Sequence, residues 1–393
     1  MTFDFFTAPR IVFGRGSLSR LADLVRPLGT KALVVFNGTV QANVVDLLNS
    51  AGIECVSRRQ RGEPRVEDVE QGVEMARREK CDVLVGVGGG SAIDAAKAIA
   101  GVLGNGGSVL DYMEVIGKGQ PLTKPAVPWV AVPTTAGTGA EVTRNAVVGD
   151  PRRKFKASLR SELLLPRVAV VDPELGIDVP PNVTAASGMD ALCQLIESYT
   201  SNGAQPITDA LAMKGIALAA RSLRRAYEDG SDLDAREDMA LAALLSGITL
   251  TNAGLGAVHG FAAPLGANFP VPHGVVCAAL LPHVMAANVA ALCAQSPEHP
   301  ALAKYAEVGM DLRQSELDDA YMIASMLPEA VESGVTSVAA LVRDLKIPRL
   351  SEFGVTANHV PEMVALARKA SSMRYNPVVL SDQALADVLR HAL

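Results

Sequence analysis

Two kinds of chemistry are written into this chain, one suited to holding phosphate and the other to holding a cation. Val85–Lys97 reads VGVGGGSAIDAAK: an apolar run, a triple-glycine turn and the opening of a helical pattern. Without side chains in the way, the backbone N–H groups of Gly89, Gly90 and Ser91 can close on a pyrophosphate at a helix N-terminus, where the helix dipole favours negative charge. The pattern departs from G-x-G-x-x-G, because Ser91 stands where the third glycine would fall, and taken alone it also suits a ligand-free strand-to-helix turn. A second loop, Pro133–Thr143 (PTTAGTGAEVT), gathers Thr134, Thr135 and Thr138 around two glycines after another apolar run. Hydroxyls and free N–H groups there suit phosphate and ribose oxygens. Two such loops at the carboxyl ends of neighbouring strands predict a dinucleotide crevice. Lys156 offers a cation to the same phosphates, and Asp94, on the helix that the glycine turn opens, is counted with the cofactor contacts. Asn37 follows the first strand candidate, where an acidic residue often receives the adenosine ribose. Being uncharged, it repels a 2′-phosphate less than Asp would, so both NAD and NADP are expected to be admissible.

The cation-binding candidates are dispersed. Asp190 and Gln194 lie one turn apart in GMDALCQLIE, and His259 (AVHGF) and His273 (PVPHG) flank a Pro/Gly-broken stretch. A carboxylate and two imidazoles, with the Gln194 oxygen as a weaker neutral addition, suit Fe²⁺ or Zn²⁺ and leave a position open for water or an alkoxide. Spacing alone does not separate these histidines from hydrogen-bonded core residues. His283 reads as a helix-start residue, and His299, His359 and His391 as surface residues. Cys55, Cys81, Cys193, Cys277 and Cys293 form no C-x-x-C pair, and all five read as small apolar core residues without a histidine at ligand spacing.

The elements that must position these residues follow from periodicity. Ala32–Phe36, Ile53–Ser57, Asp82–Val87, Trp129–Pro133 and Val168–Val171 are strand candidates. Helical patterns lie near Gln41–Ser50, over Val66–Glu79 and from about Ala92. Strands alternating with helices predict a parallel sheet covered by helices. From Pro180-Pro181 onward the text is Ala/Leu-rich helical periodicity, so the expected division is an α/β dinucleotide-binding domain over residues 1–179 and an all-helical metal-binding domain over 180–393.

Composition narrows the class. Apolar residues make up 49% and charged residues 20%, with a net charge of −6 and no basic patch, which points to a globular enzyme and away from nucleic acid or an anionic membrane surface. Between Asp238 and Glu298 no Lys, Arg, Asp or Glu occurs, but Asn252, Gly254, His259, Pro264, Pro270 and His273 interrupt the stretch before a membrane span of about 20 apolar residues can form. The unpaired cysteines and an opening, MTFDFFTAPR, with no basic-then-apolar secretory pattern make a reduced, cytoplasmic setting the expectation.

In order along the chain, FDFFTAPRIVFGRGSL, GGGSAIDAAK, PTTAGTGAEVT, VVDPEL, GMDAL…E and AGLGAVHGFAAPLGA…PHG…LLPHV resemble the iron-containing alcohol dehydrogenases over nearly the whole length. The resemblance implies a dinucleotide-binding α/β domain, a helical domain and an active site in the cleft between them. It also implies a homodimer, an NAD or NADP cofactor, Fe²⁺ or Zn²⁺, and a small alcohol or aldehyde substrate that exchanges hydride with nicotinamide while the metal acts as Lewis acid. Asp190, His259 and His273 then become metal ligands, and Gly89, Gly90, Ser91, Thr134, Thr135, Thr138 and Lys156 cofactor contacts. Two positions depart from the family pattern: Gln194, where a histidine is common, and Ala263, four residues after His259, where another is common. Two alternatives stay open: a metal-depleted dinucleotide-binding protein, which these departures favour, and a related keto-acid reductase of the maleylacetate type, which the missing histidine at Gln194 does not favour.

Overall fold

The computed structural model describes residues 2–153, 155–313 and 327–393, and the chain divides into two compact units, one Phe5–Val179 and the other Pro180–Leu393 together with the N-terminal residues up to Asp4. The first unit runs β1 (Ile11–Phe13), α1 (Leu21–Val25), β2 (Lys31–Phe36), α2 (Gln41–Ser50), β3 (Glu54–Arg59), α3 (Val66–Glu79), β4 (Val83–Gly88), α4 (Gly90–Asn105), α5 (Val109–Tyr112), β5 (Trp129–Pro133), β6 (Asn145–Asp150), β7 (Phe155–Arg160) and β8 (Val168–Val171). Six of these strands form a parallel sheet in the order β1-β8-β5-β4-β2-β3.

The central strands are apolar at nearly every position because both faces are covered. Val34, Val85, Val87, Val130, Val132 and Val170 point to one side, where they meet Leu21, Leu24, Val44 and Leu48 of α1 and α2. Leu33, Val35, Leu84 and Trp129 point to the other, against Val69 and Val73 of α3 and Ile93 and Ile99 of α4. This alternation is the two-residue period of a strand read across a double-sided core.

Two features were not expected from the sequence. β1 is only three residues long and pairs with β8 at the sheet edge. β6 and β7 form a separate antiparallel ladder, with Asn145 opposite Arg160 and Asp150 opposite Phe155. The hairpin is held to α4 from inside. Lys97 is 0% exposed, and its ammonium donates to the Ala140 carbonyl (2.8 Å), the Thr143 hydroxyl (2.7 Å) and the Asn145 carbonyl (2.7 Å). Three donors thus meet three acceptors, with the Asp94 carboxylate 3.5 Å away as counter-charge. Burial holds the Lys97 pKa below the ordinary lysine value, although Asp94 and Glu141 pull it back up.

In the second unit every regular element among the described residues is helical: α6 (Pro181–Thr200), α7 (Pro206–Glu228), α8 (Leu233–Ala253), α9 (Ala257–Asn268), α10 (His273–Gln295), α11 (Pro300–Arg313), α12 (Leu327–Asp344), α13 (Val360–Ala367) and α14 (Asp382–His391). Pro181 opens α6 at the position where a missing N–H costs nothing. From Gly188 to its end α6 is buried on all sides, packed against α7, α8 and α10. α10 is long and apolar enough to cross a membrane, yet most of it is buried within its own unit, as expected of a central core helix. The charge-free stretch Asp238–Glu298 is therefore the C-terminal part of α8 with all of α9 and α10.

Replacing Lys97 with Met removes the ammonium and leaves three acceptors facing a methyl group. Loss of one partner from a buried charged cluster costs about 3 kcal/mol or more, so the Lys97→Met protein should unfold at markedly lower urea concentration. A midpoint equal to that of the unaltered protein would show that the hairpin does not depend on this anchor.

Candidate functional site

The chemistry-bearing residues of the first unit collect at the carboxyl edge of its sheet. From β2 the chain moves outward to β3 and then returns to β4 on the other side of β2, which is the topological switch where open α/β sheets bind ligands. Asn37 follows β2 and Gly89 follows β4, and the Asn37 side-chain oxygen accepts a hydrogen bond from the Gly89 N–H at 2.9 Å. Beyond the expected place of Asn37 near the adenosine ribose, its side-chain carbonyl braces the glycine turn across the switch point. The second loop lies against the same turn. A Cβ on Gly90 would stand 2.8 Å from the Thr138 hydroxyl, and one on Gly89 3.1 Å from that of Thr135. The Thr134 N–H donates to the Gly88 carbonyl at 3.0 Å. Gly89, Gly90, Ser91, Thr134, Thr135 and Thr138 therefore share one edge. The N–H groups of Gly90 and Ser91, in the first turn of α4, have no acceptor in their own helix and suit an anion.

Asp94 and Lys156, the other expected cofactor contacts, make intramolecular contacts of their own beside this set. Asp94 accepts from the Val147 N–H of β6 at 3.1 Å, and Lys156, opposite Gly149 in the hairpin, is paired with Glu63. The β6–β7 hairpin, lying along α4, engages the Asp94 side chain and itself carries Lys156.

In the second unit the dispersed cation-binding candidates converge. Asp190 and Glu197 sit seven residues apart on one face of α6, with Gln194 between them. His259 is the third residue of α9, and its main chain and ring are both held by Glu197. The carboxylate accepts from the Val258 N–H (2.7 Å), the His259 N–H (3.4 Å) and the His259 Nδ1 (2.7 Å). A carboxylate at Nδ1 fixes the proton there and leaves Nε2 as the free lone pair. That Nε2 faces Asp190 Oδ1 at 3.4 Å. His273 opens α10, and its Nε2 stands 3.5 Å from the same oxygen. The glycine after it makes this approach possible, since a Cβ on Gly274 would lie 2.2 Å from the Ala186 carbonyl of α6. Asp190, at 2% exposure, and His259 are buried, whereas the His273 side chain is 37% exposed and gives the cluster one open flank.

The electrostatics favour positive charge at this point. Burial alone would raise the pKa of Asp190, but His273 and His259 hold its carboxyl below the usual range. Burial would lower the pKa of His273, yet Cys277 and Asp190 hold it up to about 9, and His259 is raised well above its ordinary value by the same neighbours with Glu197. Asp190 Oδ1 is buried and has no hydrogen-bond partner. A buried carboxylate oxygen left bare between two imidazole nitrogens fits a divalent cation, with Asp190, His259 and His273 as its holders.

Gln194 was expected to add an oxygen to that set. Instead its amide nitrogen donates to Asp190 Oδ2 at 3.3 Å, and its carbonyl accepts from the Ser246 hydroxyl at 2.8 Å. It orients the carboxylate from behind. Sequence reasoning also assigned every cysteine to the apolar core. Cys277 is indeed 0% exposed, but its Sγ is 3.7 Å from both His259 Nε2 and His273 Nε2. The signal was present in the sequence, because Cys277 follows His273 by four residues and shares its helix face. Glu197 was likewise legible as the next residue of the Asp190 face. His283 stacks against His391, with ring centroids 5.5 Å apart.

Comparison with known proteins gives the family. The family model described as iron-containing alcohol dehydrogenase matches residues 8–173, and that for the C-terminal region of the Fe-containing alcohol dehydrogenase family matches residues 184–393. The chain is 38% identical over 390 residues to a choline dehydrogenase of Bacillus subtilis, covering 97% of this chain and 93% of that protein. It is 33% identical over 398 residues to an NAD-dependent methanol dehydrogenase of Bacillus methanolicus, covering 99% and 100%. The solved structure of a 1,3-propanediol oxidoreductase superposes with a TM-score of 0.91 at 36% identity, covering all of both chains. An α/β unit with a parallel sheet, followed by a helical unit, both matched to one family, defines the class: these are two-part oxidoreductases. The chain belongs to the iron-containing alcohol dehydrogenase family.

Outer partners of ligating histidines typically contribute about 10–100-fold to metal affinity. Glu197→Gln keeps an acceptor for Nδ1 but removes the charge, and should weaken divalent-metal binding by about tenfold or more in a chelator competition titration. Unchanged affinity would show that Glu197 merely caps α9.

Proposed function

We propose that the chain is an NAD(P)-dependent, metal-assisted alcohol dehydrogenase and aldehyde reductase acting on a small alcohol or its carbonyl counterpart. The observation that carries this reading is the bare, buried Asp190 Oδ1 between the Nε2 atoms of His259 and His273. Bound there, a divalent cation supplies Lewis acidity toward a substrate oxygen, and a bound nicotinamide supplies the hydride acceptor or donor. The residues of the chain do the rest. Asp190 balances positive charge in a site where burial makes each charge count more than in water. Glu197 and Gln194 keep His259 and Asp190 aimed at the same point. The N–H groups of Gly90 and Ser91, with the hydroxyls of Thr135 and Thr138 beside them, receive the pyrophosphate. The exposed flank at His273 admits the substrate oxygen.

The relatives support the substrate class, since their names span choline, methanol and 1,3-propanediol, all primary alcohols. Thorough chelation should abolish NAD(P)H-dependent turnover of short aldehydes, and Fe²⁺ or Zn²⁺ should restore it. Turnover that survives chelation with no metal left by elemental analysis would sink the reading and leave a reductase of another type.

Cofactor choice rests on Asn37, which puts no negative charge at the switch point. NADPH should therefore be accepted alongside NADH. Asn37→Asp retains an acceptor for the Gly89 N–H and introduces the charge, so the ratio of kcat/KM for NADPH to that for NADH should fall by about tenfold or more, the equivalent of about 1.4 kcal/mol. An unchanged ratio would place the preference elsewhere.

A further inference from the structure

We propose that Cys277 is a fourth donor of the metal centre, so that this chain holds its cation with a carboxylate, two imidazoles and a thiolate, a donor set that favours zinc over iron. The inference rests on the metal reading above and adds a ligand to it. Four atoms on three helices, Asp190 Oδ1 of α6, His259 Nε2 of α9 and His273 Nε2 and Cys277 Sγ of α10, all lie within 4.8 Å of one another. The N···O and N···S separations have the proportions of a coordination shell. With roughly 2.0–2.1 Å bonds to N and O and about 2.3 Å to S, a tetrahedral ion spaces an N···O pair about 3.3 Å apart and an N···S pair about 3.6 Å apart. The observed N···O separations are 3.4 and 3.5 Å, and both N···S separations are 3.7 Å.

Two further observations point the same way. Asp190 Oδ1, 2% exposed in its residue, faces this point with no hydrogen-bond partner. Gln194, the other side chain near Asp190, turns its amide nitrogen to Oδ2 and gives its carbonyl to Ser246, so it supplies no oxygen on that side. The thiol also comes from a rigid element, one helical turn beyond His273, so its position is set by the same α10–α6 contact that sets the imidazole. A thiolate is soft, and a mixed sulfur–nitrogen–oxygen set suits zinc, whereas an all-nitrogen-and-oxygen set suits iron equally well. On binding, the cysteine proton leaves to solvent.

The test is Co²⁺ substitution of the full chain, read by absorption spectroscopy alongside metal stoichiometry. The unaltered protein should take up one Co²⁺ and show a thiolate-to-cobalt charge-transfer band in the near ultraviolet together with visible d–d bands. Cys277→Ser should keep the d–d bands and lose the charge-transfer band. It should also weaken Zn²⁺ binding by more than the roughly 10–100-fold that loss of an outer partner costs, with a smaller loss for Fe²⁺. Cys193→Ser, which alters the other thiol near His259 (3.9 Å from Nδ1), should leave the band intact and shows that a lost signal is not a general packing effect. One bound Co²⁺ with d–d bands but no charge-transfer band in the unaltered protein would overturn the thiolate ligand while leaving the metal site standing. A band that vanishes in Cys193→Ser and persists in Cys277→Ser would overturn it as well. Failure to bind Co²⁺ at all, with Fe²⁺ and Zn²⁺ also refused, would bring down the metal reading and this inference together.

Discussion

A single carboxylate, Glu197, holds the helical unit's chemistry in place. It is buried in the last turn of α6, and its two oxygens receive the second and third N–H groups of α9 together with the ring nitrogen of His259. The start of α9 has no capping side chain of its own, so these N–H groups would otherwise be buried without partners. Negative charge at a helix N-terminus is favourable, and this carboxylate meets a helix end and an imidazole at once. One interaction therefore fixes where α9 begins, which way the His259 ring faces and which nitrogen carries the proton. The first N–H, that of Ala257, goes to the side chain of Asn376, which is itself bonded to Asn288. The histidine is held by a network of buried polar groups from four separate stretches of chain, and such networks specify geometry when every member is satisfied.

Around that fixed point the remaining donors are placed by close backbone approach. Gly274 lets the first turn of α10 come against the Ala186 carbonyl, and a side chain there would push α10 away from α6. The same contact sets the distance from His273 to Asp190 and, one turn later, the place of Cys277. Charge and packing thus converge. Two carboxylates on one face of α6 would repel each other in a dry interior, but Asp190 meets two imidazoles and Glu197 meets a helix terminus and a third nitrogen. The helices α9 and α10 carry no ionised side chain of their own beyond what their histidines acquire, so little competes with Asp190 for a bound cation.

The α/β unit uses hydrogen bonds across its switch point to the same end. A glycine turn that must face an anion is floppy unless something holds it, and Asn37 does so through the Gly89 N–H. Thr135 and Thr138 then lie close over Gly89 and Gly90, where an added Cβ would stand 3.1 and 2.8 Å from their hydroxyls. Lys97 performs the equivalent service for the far end of the threonine loop, where its ammonium gathers Ala140, Thr143 and Asn145. Both loops are consequently preorganised, and an incoming dinucleotide has less chain entropy to remove.

How much of this was legible in the sequence depends on whether the determining contact was local. The bounds of β5, β8, α2 and α3 follow from periodicity alone, because an apolar run buried on both faces or a one-sided helix is its own signature. The β6–β7 hairpin was not legible. Its strands are six residues each, half-buried, and are pinned by Lys97 and Asp94 from a helix some fifty residues earlier, as with the 53 residues between Asp94 and Val147. That hidden element is what engages Asp94 and carries Lys156. In the candidate metal centre, Asp190, His259 and His273 were singled out through motif order, whereas the contacts of Gln194 could not be read from residue type. A side-chain amide offers either an oxygen to an ion or an N–H to a ligand, and here the choice is made by Ser246, 52 residues away, which claims the carbonyl. Cys277 is the opposite case. Its spacing from His273 was visible, but a cysteine in an apolar helix is ordinarily packing material. Only the arrival of α9, bringing His259 Nε2 to the same 3.7 Å as His273 Nε2, turns that sulfur from filler into a neighbour of two imidazole nitrogens.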